Sequence, residues 1–235
     1  MTPTQVSLMR PTQLLLIRHG TTDANDRVPY VLQGSTADLP LNDNGHRQAA
    51  RVAALLASFP ISHVYASPLL RATQTADAIA ARHQLAVRHV SEIIECDVGQ
   101  WEGQDWDTIA REHPEPYRLF QADPATNPYL GGESYSDVLR RALPAFERLL
   151  AEHVGETIVV VAHNIVNRAY VAHLLGLDLR QAKSLAQNNC CVNVIHRRAD
   201  QTTLLTMNAV FHLRSETSSP VAVDVAAAPL ESPGH

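Results

Sequence analysis

The chain has 235 residues, 45% of them hydrophobic and 18% charged, a length that suits one large domain or two small ones and a composition that excludes disorder for most of the chain. Nineteen Lys and Arg against 24 Asp and Glu leave a formal charge of −5, which argues against a nucleic-acid or anionic-membrane binder that works by bulk charge. Cys96, Cys190 and Cys191 are too few and too oddly placed for a disulfide framework. A reducing, cytoplasmic compartment is the simplest reading, with a strained Cys190–Cys191 bridge as the alternative. No apolar run approaches the ~18 residues that span a bilayer, and the opening MTPTQVSLMRPTQ lacks a secretory apolar stretch.

In chain order, Leu14-Leu15-Leu16-Ile17 reads as a strand buried on both faces of a parallel sheet. Asn42 to Ser58 reads as a helix, with Asn/Asp capping chemistry at its start and Ala49, Val52, Ala53 and Leu56 at helical spacing. His63 to Ala66 is a weaker strand, and Pro68 suits the first turn of a helix running to about His83. Residues 100 to 132 break the alternation; Asp123 to Gly132 is rich in Pro, Gly and Asn and reads as a loop, the kind of insertion that caps a site. Glu133 to His153 is a long helix that Pro144 is predicted to kink. Thr157 to Ala162 is the strongest strand, followed by a helix from Asn164 to Leu175 closed by Gly176. Val192–His196 and Thr203–Met207 read as a hairpin around Arg198-Ala199-Asp200, and the Ser/Pro/Ala-rich stretch 215–235 as a disordered tail. Strands alternating with helices predict a parallel α/β sheet covered on both faces.

Four segments carry residues that could do chemistry. Arg18, His19 and Gly20 follow the first strand, at the sheet edge where open α/β folds bind ligands. An imidazole beside a guanidinium is a poor pair without an anion between them, although a strand-end turn with a surface His would read the same way. His163 likewise follows a buried strand, and Asn164 opens a helix whose free N–H groups suit an anion. The two His residues meet if their strands are neighbours; otherwise His163 is a core residue bonded to backbone. Arg71 lies in a first helical turn, an unfavourable place for a cation unless an anion binds there, and a solvated Arg is the plain alternative. Glu92, Glu95, Asp97 and Glu102 crowd into one short segment around Trp101. One of them near cations would serve as a general acid or base, and spacing does not say which. The 12 His are scattered, with no His-x-x-x-His or Cys-x-x-Cys pair, no phosphate-binding glycine loop of the Walker type and no G-x-S-x-G elbow.

These blocks, in this order, resemble the histidine phosphatase superfamily, the group related to cofactor-dependent phosphoglycerate mutase, over roughly Gln13 to Met207. Arg18-His19-Gly20 is similar to the signature that supplies the family's nucleophile, and Asn25 sits where relatives place a phosphate-contacting Asn. LQGSTADLPLNDNGHRQA, SPLLRATQTA with Arg71 as second phosphate-binding Arg, Glu95 to Gly103 with Glu95 as proton donor, Gly131-Gly132-Glu133-Ser134, and His163 as second His complete the resemblance. Asn164 stands where many members have Gly, and Cys96 is unusual beside the expected acid.

The resemblance implies a three-layer α/β/α sandwich with a mostly parallel sheet over residues 1–214, with 100–132 as a cap-like insertion. It implies a metal-independent phosphomonoesterase, without cofactor, that acts on a small phosphorylated metabolite through a phosphohistidine. His19, Glu95 and His163 are the expected catalytic residues, and Arg18, Asn25, Arg71 and Asn164 the expected phosphate-binding ones. The expected partner is a small phosphate ester, with no nucleic acid and no membrane, and a homodimer is left open. The W-E-G and G-G-E-S blocks look like the phosphatase branch; a mutase-type phosphotransferase and a non-catalytic phosphate binder are the rival readings. In the cap, Trp106, Tyr117, Arg118 and Tyr129 are candidate substrate contacts or, equally, packing within the cap, while Tyr170, Leu174 and Leu175 read as core.

Overall fold

The computed structural model describes residues 10–214. The opening residues 1–9 and the expected disordered tail, 215–235, lie outside the described residues. Six strands form one sheet: β1 (Thr12–Arg18), β2 (Ile61–Ala66), β3 (Val87–His89), β4 (Thr157–Ala162), β5 (Val192–Arg198) and β6 (Gln201–Ala209), in the order β3-β2-β4-β1-β5-β6. The β1/β4, β2/β4 and β2/β3 pairs are parallel, and β1/β5 and β5/β6 antiparallel, so the sheet is mostly parallel with an antiparallel edge. The expected hairpin is present, but Arg198 belongs to β5, and only Ala199 and Asp200 turn, with Ala199 at a φ of 50°. Strand β3 was not foreseen: its three residues are largely exposed and carry no apolar run.

Burial follows the two-residue period of a strand. Leu14 and Leu16 of β1, with Ile158 and Val160 of β4, join one core cluster; Leu15 and Ile17, with Val159 and Val161, join the other. Each of these eight side chains is at most 1% exposed, which is why β1 and β4 read as continuous apolar runs rather than alternating ones. Burying one such side chain contributes roughly 1.5–3 kcal/mol. The first cluster is covered by α6 (Tyr135–Glu152) and α7 (Asn164–Leu174), the second by α2 (Asp43–Leu56) and α3 (Leu70–His83). That is the expected α/β/α layering.

The caps explain the helix ends. The Asn42 side chain accepts from the Gly45 N–H at 2.9 Å and starts α2. Ser134 and Asp137 form a capping box, so α6 starts at Tyr135 rather than Glu133. Pro144 lies inside α6, which runs unbroken from 135 to 152. Pro68 does not sit in the first turn of α3: Leu69 is extended and caps the helix, which begins at Leu70. Helix α7 ends at Leu174, with Gly176 at a φ of 64° where glycine carries no Cβ penalty. A short helix, α1 (Asp23–Asp26), follows β1. The 100–132 stretch holds two further helices, α4 (Trp106–Glu112) and α5 (Pro114–Ala122), where the sequence showed no regular element. Each is short and buries one residue, Ile109 or Phe120.

Candidate active site

Strand register brings the two expected histidines together. Arg18 of β1 is the Cα partner of Ala162 of β4, and the His19 N–H donates to the Ala162 carbonyl at 3.0 Å. The next residues on the two parallel strands are His19 and His163, whose ring centroids lie 5.1 Å apart. The chain then turns sharply at Gly20, where a Cβ would lie 2.7 Å from the Gly45 carbonyl oxygen, so no other residue fits without moving backbone. Helix α3 delivers Arg71 to the same place, and its guanidinium is fully buried.

The histidines are surrounded by positive charge. Burial first, then Arg71 and Arg18, holds His19 well below the usual histidine range. Burial, Arg71, His19 and Arg18 do the same to His163. Both rings are therefore neutral near pH 7. His19 Nδ1 lies 2.7 Å from the Gly20 carbonyl, an acceptor, so Nδ1 carries the proton and Nε2 presents its lone pair. Among the described residues neither nitrogen of His163 has a partner, nor do Arg18 Nε and Arg71 Nε, although all are buried. Buried polar atoms are normally paired; two guanidinium groups and an imidazole with buried N–H groups left unpaired call for an anion.

The four acids of residues 92–102 have four different fates. Glu92 is an outer residue paired with Arg148 at 3.3 Å. Asp97 accepts from the Gly99 N–H at 2.8 Å. Glu102 accepts from the N–H groups of Gly34 at 2.6 Å and Ala37 at 3.2 Å. Glu95 alone is buried beside the histidines, accepting from the Cys96 N–H at 2.9 Å and the Ile165 N–H, at the start of α7, at 3.4 Å. Desolvation outweighs those bonds and the pull of Arg71 and Arg18, and raises its pKa. Trp101 is fully buried, as an anchor for the segment.

A cavity of about 300 Å³ opens over this centre, and Arg18, His19, Asn25, Glu95 and Asn164 line it. Arg71 and His163 act from beneath the lining. Asn25 Oδ1 accepts from the Thr22 N–H at 3.1 Å and from Asn189 Nδ2 at 3.3 Å, which leaves its amide nitrogen as the donor for a ligand. The Asn164 side-chain oxygen is buried without a partner among the described residues. From the 100–132 stretch, Trp106, Tyr117, Phe120 and Tyr129 reach the cavity wall, packed ring against ring around Trp101. Arg118 does not: it is exposed and paired with Glu115 at 2.7 Å. Tyr170 stacks on Phe146 as a core residue, while Leu175, expected in the core, is 46% exposed.

The sequence from residue 14 to 210 matches the model of the histidine phosphatase superfamily, branch 1. The chain belongs to this superfamily. Phosphoserine phosphatase 1 of Hydrogenobacter thermophilus is 33% identical over 201 residues, covering 86% of this chain and 94% of that protein. The metal-independent phosphoserine phosphatase of Arabidopsis thaliana is 33% identical over 209 residues, covering 87% and 84%. Among solved structures, the phosphoserine phosphatase of Entamoeba histolytica, crystallised with 3-phosphoglyceric acid, superposes with a TM-score of 0.78 at 26% identity, covering 86% of this chain and all of that one.

Residues that spacing did not single out also shape the cavity and its supports. The carbonyls of Gly34 and Ala37 accept from Arg71 Nη2 and Nη1 at 2.9 and 2.8 Å. Those two residues are the ones whose N–H groups Glu102 holds. Glu102 thus fixes the loop that fixes Arg71. Asn189 Nδ2 donates to the His19 carbonyl at 3.0 Å as well as to Asn25. Arg168 and Lys183 line the cavity and add cations away from the histidine pair. Arg168 Nε donates to the Leu185 carbonyl at 2.7 Å, and Lys183 Nζ to the Gln121 carbonyl at 2.8 Å. Only the fold brings Lys183 to the cavity.

Proposed function

We propose that this protein hydrolyses a small phosphate monoester through a phosphohistidine at His19, without a metal at the reacting phosphorus. The reading rests above all on the neutral His19 ring, with Nδ1 tied to the Gly20 carbonyl and Nε2 free, set among Arg18, Arg71 and His163. The Nε2 lone pair attacks phosphorus in line, and the bond from phosphorus to the ester oxygen breaks. Guanidinium forks of Arg18 and Arg71 match phosphate oxygens. The amides of Asn25 and Asn164 and the ring of His163 add donors, each worth roughly 3–4 kcal/mol where it meets charge that grows in the transition state.

Glu95, its pKa raised by burial, carries the proton that the leaving alkoxide needs. In the second step its carboxylate takes a proton from water, the oxygen attacks phosphorus, and the nitrogen–phosphorus bond breaks. His19 returns neutral and inorganic phosphate leaves. Five cationic or donor side chains stand where a metal would otherwise supply charge, so EDTA is expected to leave turnover intact.

The relatives named as phosphoserine phosphatases support a substrate of that size. Arg168 and Lys183 on the cavity wall favour a leaving group that bears a carboxylate. We read residues 100–132 as the cap over that leaving group. Three free, buried cysteines fit a reducing compartment such as the cytoplasm, and no helix among the described residues is long and apolar enough to cross a membrane. A phosphate-release screen over amino-acid, sugar and hydroxy-acid phosphates tests the reading. Carboxylate-bearing esters should lead. Interconversion of 2- and 3-phosphoglycerate faster than phosphate release would select the mutase, and no release from any ester, aryl phosphates included, the non-catalytic binder.

A further inference from the structure

At the opposite end of the sheet from the phosphate cavity, three side chains that the proposed reaction does not use converge. His63 comes from the start of β2, where the pairing with β4 slips by one residue between Ile61 and His63. His153 caps the C-terminus of α6, and Glu156 leads into β4. The turn His153-Val154-Gly155-Glu156 is held by the Glu156 N–H donating to the His153 carbonyl at 3.0 Å, and it needs Gly155 at a φ of 80°. It folds Glu156 back onto His153.

The donor atoms all lie within 4.8 Å of one another. Glu156 Oε2 is 2.9 Å from His153 Nδ1 and 3.4 Å from His63 Nε2. Two ligands each about 2.0–2.2 Å from one tetrahedral zinc ion lie ~3.3–3.6 Å apart, so the His63–Glu156 pair already fits and the His153–Glu156 pair must open by about half an ångström. Outer contacts already orient two of the three. Tyr65 Oη sits 2.8 Å from His153 Nε2, and Ser62 Oγ donates to Glu156 Oε2 at 2.9 Å. Second partners of this kind fix ring and carboxylate orientation in metal sites. The His153 side chain is 9% exposed, His63 27% and Glu156 43%, so one side stays open to water as a fourth ligand. The Arg88 guanidinium, 3.4 Å from Tyr65 Oη, is a cation behind this tyrosine and weakens affinity without occupying a ligand position.

We propose that His63 Nε2, His153 Nδ1 and a Glu156 carboxylate oxygen form a binding site for a borderline divalent metal ion, Zn²⁺ or Co²⁺, completed by water. Two imidazoles and one carboxylate suit such ions rather than Mg²⁺ or Ca²⁺, which prefer oxygen alone. Binding requires His153 to carry its proton on Nε2, where Tyr65 Oη accepts it. The ion clasps the start of β2, the end of α6 and the entry to β4. It is a structural clasp, distinct from the cavity that holds His19.

The full-length protein, stripped with EDTA and dialysed, is titrated with Co²⁺ and followed by visible absorption, with Zn²⁺ as competitor and Tm as a second readout. One equivalent of Co²⁺ should bind with a low-coordinate visible spectrum, Zn²⁺ should displace it, and Zn²⁺ should raise Tm. His63→Ala and Glu156→Gln, two changes at partly exposed side chains, should each abolish the spectrum and the Tm increase while keeping aryl phosphate hydrolysis. His19→Ala should keep the spectrum and lose the hydrolysis, which separates this site from the phosphate cavity. No stoichiometric Co²⁺ binding by the wild-type protein, or binding unchanged in both His63→Ala and Glu156→Gln, overturns the proposal.

Discussion

The sheet carries a histidine pair at each end, and the two pairs differ in the sign of the charge around them. At one end His19 and His163 lie 5.1 Å apart between two arginines, with buried nitrogens left unpaired. At the other, His63 and His153 lie 4.3 Å apart and share a carboxylate. The same residue type, at nearly the same spacing, is thus prepared for an anion in one place and a cation in the other. A histidine pair alone carries no functional meaning; its electrostatic surroundings decide what it holds.

The most direct way to break this comparison is to make one substitution at both ends. His19→Ala should lower kcat on the order of 10⁵–10⁶-fold, the scale of other nucleophile deletions, whereas His63→Ala should leave kcat unchanged. Equal effects on phosphate release would erase the distinction. The glutamates provide the next test. Glu95→Gln should slow alkyl phosphates about 10²–10⁴-fold and aryl phosphates far less, because a phenolate leaves without a proton. The pH profile of kcat/KM should have an acid limb below the usual histidine range, from His19. Its alkaline limb should lie above the usual carboxylate range, from Glu95, and Glu95→Gln should remove that limb.

Glu102 sharpens the comparison, because it acts through backbone. Freeing the loop 34–37 in Glu102→Ala should misplace Arg71 and cost about 10²-fold in kcat, with Glu102→Gln restoring part of it; equal loss in both variants would deny the positioning role. Stability against pH gives a smaller signal. An unfolded chain protonates His163 below about pH 6.5, while the folded protein resists because the ring is held neutral. The unfolded state then binds more protons, so stability falls as pH drops below 6.5. His163→Gln should flatten that decline. Glu95 works in the other direction: its raised pKa favours the folded state in acid and is lost as pH rises through it. Leu16→Ala, between the two ends, should cost about 2–5 kcal/mol of stability and leave the kcat of the folded enzyme unchanged.

The features read most readily from the sequence were those written in contiguous residues. Leu14 to Ile17 and Thr157 to Ala162 announced doubly buried strands, and the residues just after them, His19 and His163, became neighbours because the strands pair in register. What escaped depends on distance in the chain. The resemblance marked Glu95, but the anchoring role of Glu102 escaped, because it shows only where the fold sets its carboxylate on the loop that holds Arg71. His63 and His153 are ninety positions apart, and no spacing rule joins them. Helices α4 and α5, of seven and nine residues, escaped because they are short, and β3 because it buries no side chain. Leu175 read as core because an apolar side chain was taken for a buried one, and Arg118, expected as a substrate contact or as cap packing, is neither: the fold leaves both outside.

The central claim, a covalent bond between His19 and the transferred phosphoryl group, is tested by rapid alkaline quench of the enzyme mixed with a radiolabelled aryl phosphate, followed by peptide mapping. The account predicts transient label on the peptide that holds His19, stable in base and lost in acid, and absent from His19→Ala. Label on another residue, or full turnover in His19→Ala, would contradict it.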